Sequence, residues 1–238
     1  MIDIHCHALP FVDDGSENYE QTLSMLKEEI KQGVTGVILT PHYRRHSFAE
    51  SDETVRSVFA ELCKKVEQEG LKIDLYLGRE ITVYKGIAEI IDNGDFISMA
   101  NGRFVLLEFP YEKDTDIEEI CYRVRLSGYL PIVAHVERYS YFRSVEAVKR
   151  LRASGVVVQV NATSVAQKSY GEENRFVKDL LKKKLVDVVA SDYHYKRENF
   201  MAQAYAKVKS WCGEDYAKLV FCQNPNYVAT ATKNNVQK

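Results

Sequence analysis

Short β-branched apolar runs and amphipathic runs alternate along this chain from one end to the other. The apolar runs predict strands over Ile2–His7, Val34–Pro41, Ile73–Glu80, Phe104–Phe109, Pro131–His135, Val156–Asn161 and Val186–Ser191. Between them, apolar positions recurring every three or four residues predict helices over Glu17–Gln32, Ser51–Glu69, Gly86–Asn93, Asp116–Leu126, Ser144–Ala153 and Glu172–Lys184. Two more helices are expected near Asn199–Trp211 and Asp215–Phe221. Gly33, Gly70, Gly128 and Gly155 each follow a helical run, where a C-capping glycine belongs. Successive βα units whose strands are apolar on both faces imply a parallel sheet covered by helices.

The polar residues at the strand ends decide between an open sheet and a barrel. An open doubly wound sheet gathers its site at one crevice, whereas a barrel brings every strand end to one mouth. Here the first strand ends in His5 and His7, with Asp13 and Asp14 in the following loop. The second ends in Thr40-Pro41-His42, the third in Gly78-Arg79-Glu80, the fourth in Leu107-Glu108 and the fifth in Ala134-His135. The seventh ends in Ser191-Asp192-Tyr193-His194, while the sixth offers only Gln159 and Asn161. All but one of the strands contribute, which favours an α/β barrel.

These residue types at strand tips form a metal-site pattern. His5 and His7 are two apart on a strand and so project to one face. Glu80 and Glu108 each follow an apolar strand, and a carboxylate buried there must be paired or metal-bound. A mixed nitrogen and oxygen set without thiolates suits Mn, Fe or Zn better than Mg or Ca. The groups are too many for one ion and fit two or three. Three divalent ions set against Asp14, Glu80, Glu108 and Asp192 leave a net positive charge, poised for an anion such as a phosphate monoester. Arg138 and Arg197 lie just beyond these segments, where guanidinium groups could clamp phosphate oxygens or merely form surface ion pairs.

With 238 residues, 45% hydrophobic and 28% charged, the chain is expected to be one domain spanning residues 1–238, with 229–238 a polar, frayed tail. A formal charge of −2 supplies no basic field for nucleic acid. No apolar run is long enough to insert in a membrane, and ionisable residues from Asp3 onward break any leader pattern, so a cytoplasmic address is expected. Cys6, Cys63, Cys121, Cys212 and Cys222 form neither a disulfide framework nor a CxxC pair. A thiolate phosphatase needs Arg six positions after its Cys; Val12, Glu69, Ser127, Lys218 and Val228 stand there instead. Strand parity points Cys6 away from the two histidines and into the core.

The set D-I-H-C-H…D-D-G, T-P-H, G-R-E-I, L-L-E-F-P, I-V-A-H-V-E-R-Y and V-V-A-S-D-Y-H resembles the PHP (polymerase and histidinol phosphatase) superfamily. Its spacing is similar to that of the bacterial manganese-dependent protein-tyrosine phosphatases of the CpsB/CapC type, which act in capsule and exopolysaccharide synthesis. The resemblance runs from Met1 to about Val228 and implies a distorted (βα)7 TIM-like barrel of the PHP type with three Mn2+ ions at its mouth, Fe or Zn being the other candidates. It further implies that His5, His7, Glu80 and Asp192 hold the first metal, that Glu80 bridges to a second held with Glu108 and His135, and that Asp14, His42 and His194 hold the third. Spacing alone permits either Asp13 or Asp14; the resemblance selects Asp14. It implies attack on phosphorus by a metal-bridging hydroxide, with Arg138 and Arg197 around the phosphate, and a substrate in the phosphorylated Tyr-rich tail of a bacterial tyrosine kinase. Arg44, Arg45 and His46 follow the second strand in a polar loop that either grips an acidic tail or is simply solvated.

Three other readings compete. A small-molecule phosphomonoesterase similar to histidinol phosphatase would use the same chemistry. An amidohydrolase barrel also opens with His-x-His, but many of those bridge metals with a carboxylated Lys, and no predicted strand here ends in Lys. A kinase-binding scaffold without activity would be expected to have lost some of these residues, yet every motif position holds a competent one.

Overall fold

The computed structural model describes residues 1–94, 96–111, 115–167 and 171–231, apart from the side chains of residues 88 and 89. Its parallel strands are β1 (Ile2–Cys6), β2 (Gly36–Leu39), β3 (His42–Tyr43), β4 (Asp74–Leu77), β5 (Glu80–Thr82), β6 (Phe104–Glu108), β7 (Leu130–Val133), β8 (Val157–Asn161) and β9 (Val188–Ala190). β2 lies within the predicted strand Val34–Pro41, and β3 continues its line just past it after an interruption at Thr40-Pro41, where proline has no N–H for the ladder. β4 and β5 are likewise one strand broken at Gly78-Arg79.

The strands pair in the orders β1-β2-β4 and β3-β5-β6-β7-β8-β9. The end of β9 then returns to β1: the Asp192 N–H donates to the His5 carbonyl (2.8 Å) and the His7 N–H to the Tyr193 carbonyl (2.9 Å). The ring so completed is the barrel that the strand ends favour, in the distorted (βα)7 form that the PHP-type resemblance implies.

Helices α1 (Tyr19–Lys31), α2 (Asp52–Gln68), α3 (Ile87–Asn93), α4 (Ile117–Leu126), α5 (Val145–Ala153), α6 (Ala162–Ala166), α7 (Glu172–Lys182), α8 (Met201–Cys212), α9 (Glu214–Lys218) and α10 (Asn224–Thr230) lie outside the ring or beneath it. Asn18, Ser51, Asp116 and Ser144 cap their helices by accepting from the backbone N–H three residues on. Gly33, Gly70, Gly128 and Gly155 all take left-handed φ, between 65° and 84°, as helix-ending glycines do. No helix among the described residues is long and apolar enough to cross a membrane.

The C-terminal segment corrects one expectation. The predicted tail begins inside α10, whose first turn accepts Pro225 because that N–H would be unpaired anyway. Val228, Ala229 and Ala231 are buried and, with Met99, pack on Ile4, Ile38, Leu106, Ile132 and Ala190 to plug the barrel floor. Polarity around those apolar residues hid a short helix. Residues 232–238 of the predicted tail lie outside the described residues.

Above this floor the inward-facing positions change character along each strand. Ile38 is followed at steps of two by Thr40 and His42, Phe104 by Leu106 and Glu108, and Val188 by Ala190 and Asp192. Apolar residues thus seal the lower barrel, and ionisable ones are carried to the upper rim. In β1 the register shifts between Asp3 and Cys6, so these two share the outer face beside Glu29 of α1. The bulge lifts His5 and His7 onto the inner face above Ile4.

Candidate metal centre

The structure brings His5, His7, Asp14, His42, Glu80, Glu108, His135, Asp192 and His194 to one end of the barrel. All are buried except Asp14, whose side chain is 48% exposed. Donor atoms of His5, His7 and Glu80 lie within 4.8 Å of one another, as do those of His7, Asp14, His42 and His194, and those of His42, Glu80 and Glu108. His135 Nε2 stands 2.9 Å from Glu80 Oε1. Asp192 Oδ1 lies 3.6 Å from His5 Nε2 and 3.5 Å from His7 Nε2. Asp192 and His135 take left-handed φ of 53° and 30°, which strains a residue with a Cβ and turns both side chains back over the mouth.

Hydrogen bonds behind the cluster determine which imidazole nitrogens face inward. The His135 backbone N–H donates to Gln159 Oε1 (2.8 Å), so that atom is an acceptor and takes the His5 Nδ1–H at 3.2 Å. Gln159 Nε2 then donates to Asn161 Oδ1, and Asn161 Nδ2 donates to Asp192 Oδ2, both at 2.8 Å. Asp13 accepts from His7 Nδ1 (2.7 Å) and from the backbone N–H groups of His42 (2.9 Å) and Gly15 (3.0 Å). His194 Nδ1 donates to the Asp192 carbonyl. His5 and His7 therefore turn lone pairs on Nε2 toward each other, only 3.1 Å apart. Two lone pairs at that separation repel unless a cation or proton sits with them. His42 Nδ1 and Glu80 Oε2, 2.7 Å apart, are likewise buried without hydrogen-bond geometry. This donor set fits divalent metals.

The adjacent aspartates separate clearly. Asp14 Oδ1 faces His42 Nε2 (3.6 Å) and His194 Nε2 (3.5 Å) across the open rim. Asp13 sits behind His7 as its orienting partner. Glu108 is oriented from the rim: Thr82 and Tyr111 hydroxyls donate to it at 2.7 Å, and Arg44 pairs with it at 3.0 Å. Tyr139 accepts the Phe109 N–H and lies 3.3 Å from His135 Nδ1. Thr82, Tyr111 and Tyr139 were not singled out from the sequence. Tyr139 lay within the H-V-E-R-Y segment, but nothing local marks Thr82 or Tyr111.

The two candidate arginines differ. Arg138 Nη1 pairs with Asp192 Oδ2 at 2.9 Å and keeps about a third of its side chain exposed at the mouth. Arg197 is exposed on the rim near His194 and makes no ion pair among the described residues. Burial opposes the charge of Asp192, but His5, when protonated, and the Arg138 guanidinium hold its carboxyl below the usual range. Glu80 is held well below that range against burial by His5 and His42. Burial and the neighbouring His7 push His194 down to about 3. On the outer face, burial drives the Cys6 thiol well above its ordinary value, which rules it out as a nucleophile.

With this geometry established, known proteins supply a comparison. A family model described as capsular polysaccharide synthesis, CpsB/CapC, matches residues 1–230. The tyrosine-protein phosphatase YwqE of Bacillus subtilis is 30% identical over 206 residues, covering 85% of this chain and 81% of the relative. The tyrosine-protein phosphatase CpsB of Streptococcus pneumoniae is 30% identical over 237 residues, covering 96% and 98%. Among solved structures, those of YwqE and CpsB, described as metal-dependent tyrosine phosphatases, include a chain that matches with a TM-score of 0.90 and 26% identity over 98% of this chain and 95% of that one. A histidinol phosphate phosphatase from Lactococcus lactis shares the fold at a TM-score of 0.59 and 15% identity, covering 92% of this chain and 94% of that one. The chain belongs to the CpsB/CapC family.

Proposed function

We propose that this chain is a metal-dependent phosphatase that hydrolyses phosphotyrosine on protein, its substrate being the phosphorylated Tyr-rich tail of a bacterial tyrosine kinase in capsule or exopolysaccharide synthesis. The observation that carries the reading is the inward-facing set of imidazole lone pairs and carboxylates, closed from behind by hydrogen bonds and flanked by Arg138 at an open rim. His5, His7, Glu80 and Asp192 would hold one metal, Glu80, Glu108 and His135 a second, and Asp14, His42 and His194 a third. Manganese is the proposed occupant, and iron or zinc would suit the same donors.

The bound metals supply a nucleophilic water near neutral pH and draw charge from the phosphoryl oxygens. The chain's own residues do the rest. Asp13 and Gln159 hold His7 and His5 with Nδ1 protonated and Nε2 directed inward. Asn161 keeps Asp192 turned to the same point. Arg138, and Arg197 from the rim, would bind the phosphate oxygens and orient the ester. The apolar floor under His5 and His42 keeps bulk water out of the barrel below the site. A phenolate leaving group, with a pKa of about 10, needs less acid assistance than an alkoxide.

The test compares turnover of phosphotyrosine peptides and histidinol phosphate by protein of measured metal content, with and without manganese. Manganese-stimulated hydrolysis of the peptide, with the higher kcat/KM, is expected. Equal or better turnover of histidinol phosphate would replace this reading with that of a metabolite phosphatase. Protein with no bound transition metal and no stimulated activity would leave a scaffold role.

A further inference from the structure

The loop after β3 and the end of β5 enclose a second cavity of about 500 Å3 beside the metal cup, lined by Arg44, Arg45, His46, Thr82 and Lys85, among others. Among the described residues no carboxylate lines it. Arg44 and Thr82 stand between it and the cup: both line the cavity, and both bind Glu108, Arg44 at 3.0 Å and the Thr82 hydroxyl at 2.7 Å. Arg45 lies over the Tyr84 ring at 5.6 Å, and neither Arg45 nor Lys85 has an ion-pair partner among the described residues. Elsewhere on this slightly acidic chain, surface cations commonly stand against carboxylates, as in Lys27–Glu69, Arg123–Glu119 and Arg150–Glu118. A concavity that gathers Arg45 and Lys85, without an ion-pair partner among the described residues, beside an Arg44 already paired with Glu108 is built for an anion.

We propose that this cavity is an anion subsite that takes a phosphorylated or carboxylic side chain of the same polypeptide whose phosphotyrosine occupies the metal cup. The inference rests on the phosphotyrosine reading and adds a preference for the residues around the scissile one. Because one layer of side chains, Arg44 and Thr82, stands between the two cavities, the second anion belongs two or three residues from the phosphotyrosine, about 7–11 Å along an extended chain. The bidentate fork of Arg45 and the ammonium of Lys85 match phosphate oxygens, and both can also pair with a carboxylate. The sequence placed Arg44, Arg45 and His46 in a polar loop that either grips an acidic tail or is solvated; Lys85 joins them only because β3 and β5 pair in parallel, placing His42 beside Glu80 and Tyr43 beside Ile81.

The test uses manganese-loaded full-length protein and phosphotyrosine peptides that differ at positions two and three residues away. One peptide series carries alanine there, one glutamate, and one phosphonomethyl-phenylalanine, a dianion that cannot be hydrolysed. For the wild type, KM for the anion-flanked peptides is expected to be about 5- to 10-fold below that of the alanine peptides at low ionic strength, with kcat unchanged and the gap narrowing as salt rises. The exposed pair Arg45→Gln/Lys85→Gln should abolish the gap while leaving turnover of p-nitrophenyl phosphate intact. A larger gain for the phosphonate assigns the subsite to phosphate; equal gains assign it to either anion. Equal KM for all peptides, or a gap that survives in the double variant, overturns the subsite alone. Hydrolysis of p-nitrophenyl phosphate with no peptide turnover overturns the protein-phosphatase reading and the subsite with it.

Discussion

Asp13 and Asp14 are neighbours in sequence, yet their substitution by asparagine should produce distinguishable phenotypes. Asp13 is buried and accepts three hydrogen bonds, from His7 Nδ1, the His42 N–H and the Gly15 N–H. Asparagine keeps one carbonyl oxygen. Placed toward His7 and His42, it leaves its NH2 against the Gly15 N–H, donor to donor; flipped, it sets two donors against His7 and His42. At least one charge-assisted bond is lost, at about 1.5–3 kcal/mol. Loss of an orienting partner behind a metal-binding histidine weakens metal affinity by about 10- to 100-fold. That range equals about 1.4–2.7 kcal/mol, so the two routes to the magnitude agree. Asp13→Asn should therefore raise the metal dissociation constant 10- to 100-fold and recover most of its kcat at saturating manganese.

Asp14, half exposed and facing His42 and His194, presents an oxygen to the rim. Its replacement should cost little stability, about 0.5 kcal/mol or less, remove one metal per chain and leave a kcat that added manganese does not restore. Equilibrium dialysis with metal analysis, followed by manganese titration of phosphatase activity, measures both. Metal affinity of Asp13→Asn within twofold of wild type, or two variants that behave alike, would refute the division of labour between the aspartates.

Three further outcomes follow from the geometry. Arg138→Ala should lower kcat/KM by about 10- to 100-fold, the worth of one or two charge-assisted bonds to phosphate; loss of metal instead would mean that the guanidinium serves chiefly to hold Asp192. Gly15→Ala would drive its Cβ into the His7 carbonyl oxygen and His7 Cβ. It should cost about 1–3 kcal/mol and a few degrees of Tm, and an unchanged Tm would show that the aspartate loop yields freely. Glu29 is pushed well above the ordinary carboxyl range by burial and by the charge of Asp3, so its neutral form stabilises the fold. That contribution is complete below the unfolded pKa of about 4.3 and is lost as pH rises toward the raised native value. Glu29→Gln cannot ionise, and urea unfolding should show its stability relative to wild type increasing from pH 5 to pH 8. A difference that does not change with pH contradicts the assignment.

Much of the centre was legible because it uses residue types that apolar strands rarely tolerate. His5, Glu80, His135 and Asp192 could be read off strand ends without long-range information. Gln159 and Asn161 were visible at the end of the sixth strand but carried no meaning there, since an amide acts only through what it faces. Thr82 and Tyr111 were silent, because each acquires its role by reaching Glu108 from another segment. The bulge in β1 was also invisible: strict alternation would separate Asp3 from Cys6, and only pairing with β2 shows that they share a face.

What this sequence determines by itself is local. The apolar periods specify strand and helix, the glycines specify helix ends, and the steps of two along each strand carry apolar residues low and ionisable ones high. Those are properties of dihedral preference and side-chain direction, which depend on near neighbours. What the tertiary structure decided is which groups meet: Asp14 with His194, Asp13 behind His7, and Lys85 beside Arg45. It also decided which nitrogen of each histidine is free, through hydrogen bonds between strands far apart in the chain. Such contacts depend on register and ring closure, set by the summed packing of the whole barrel, and no local segment contains that information.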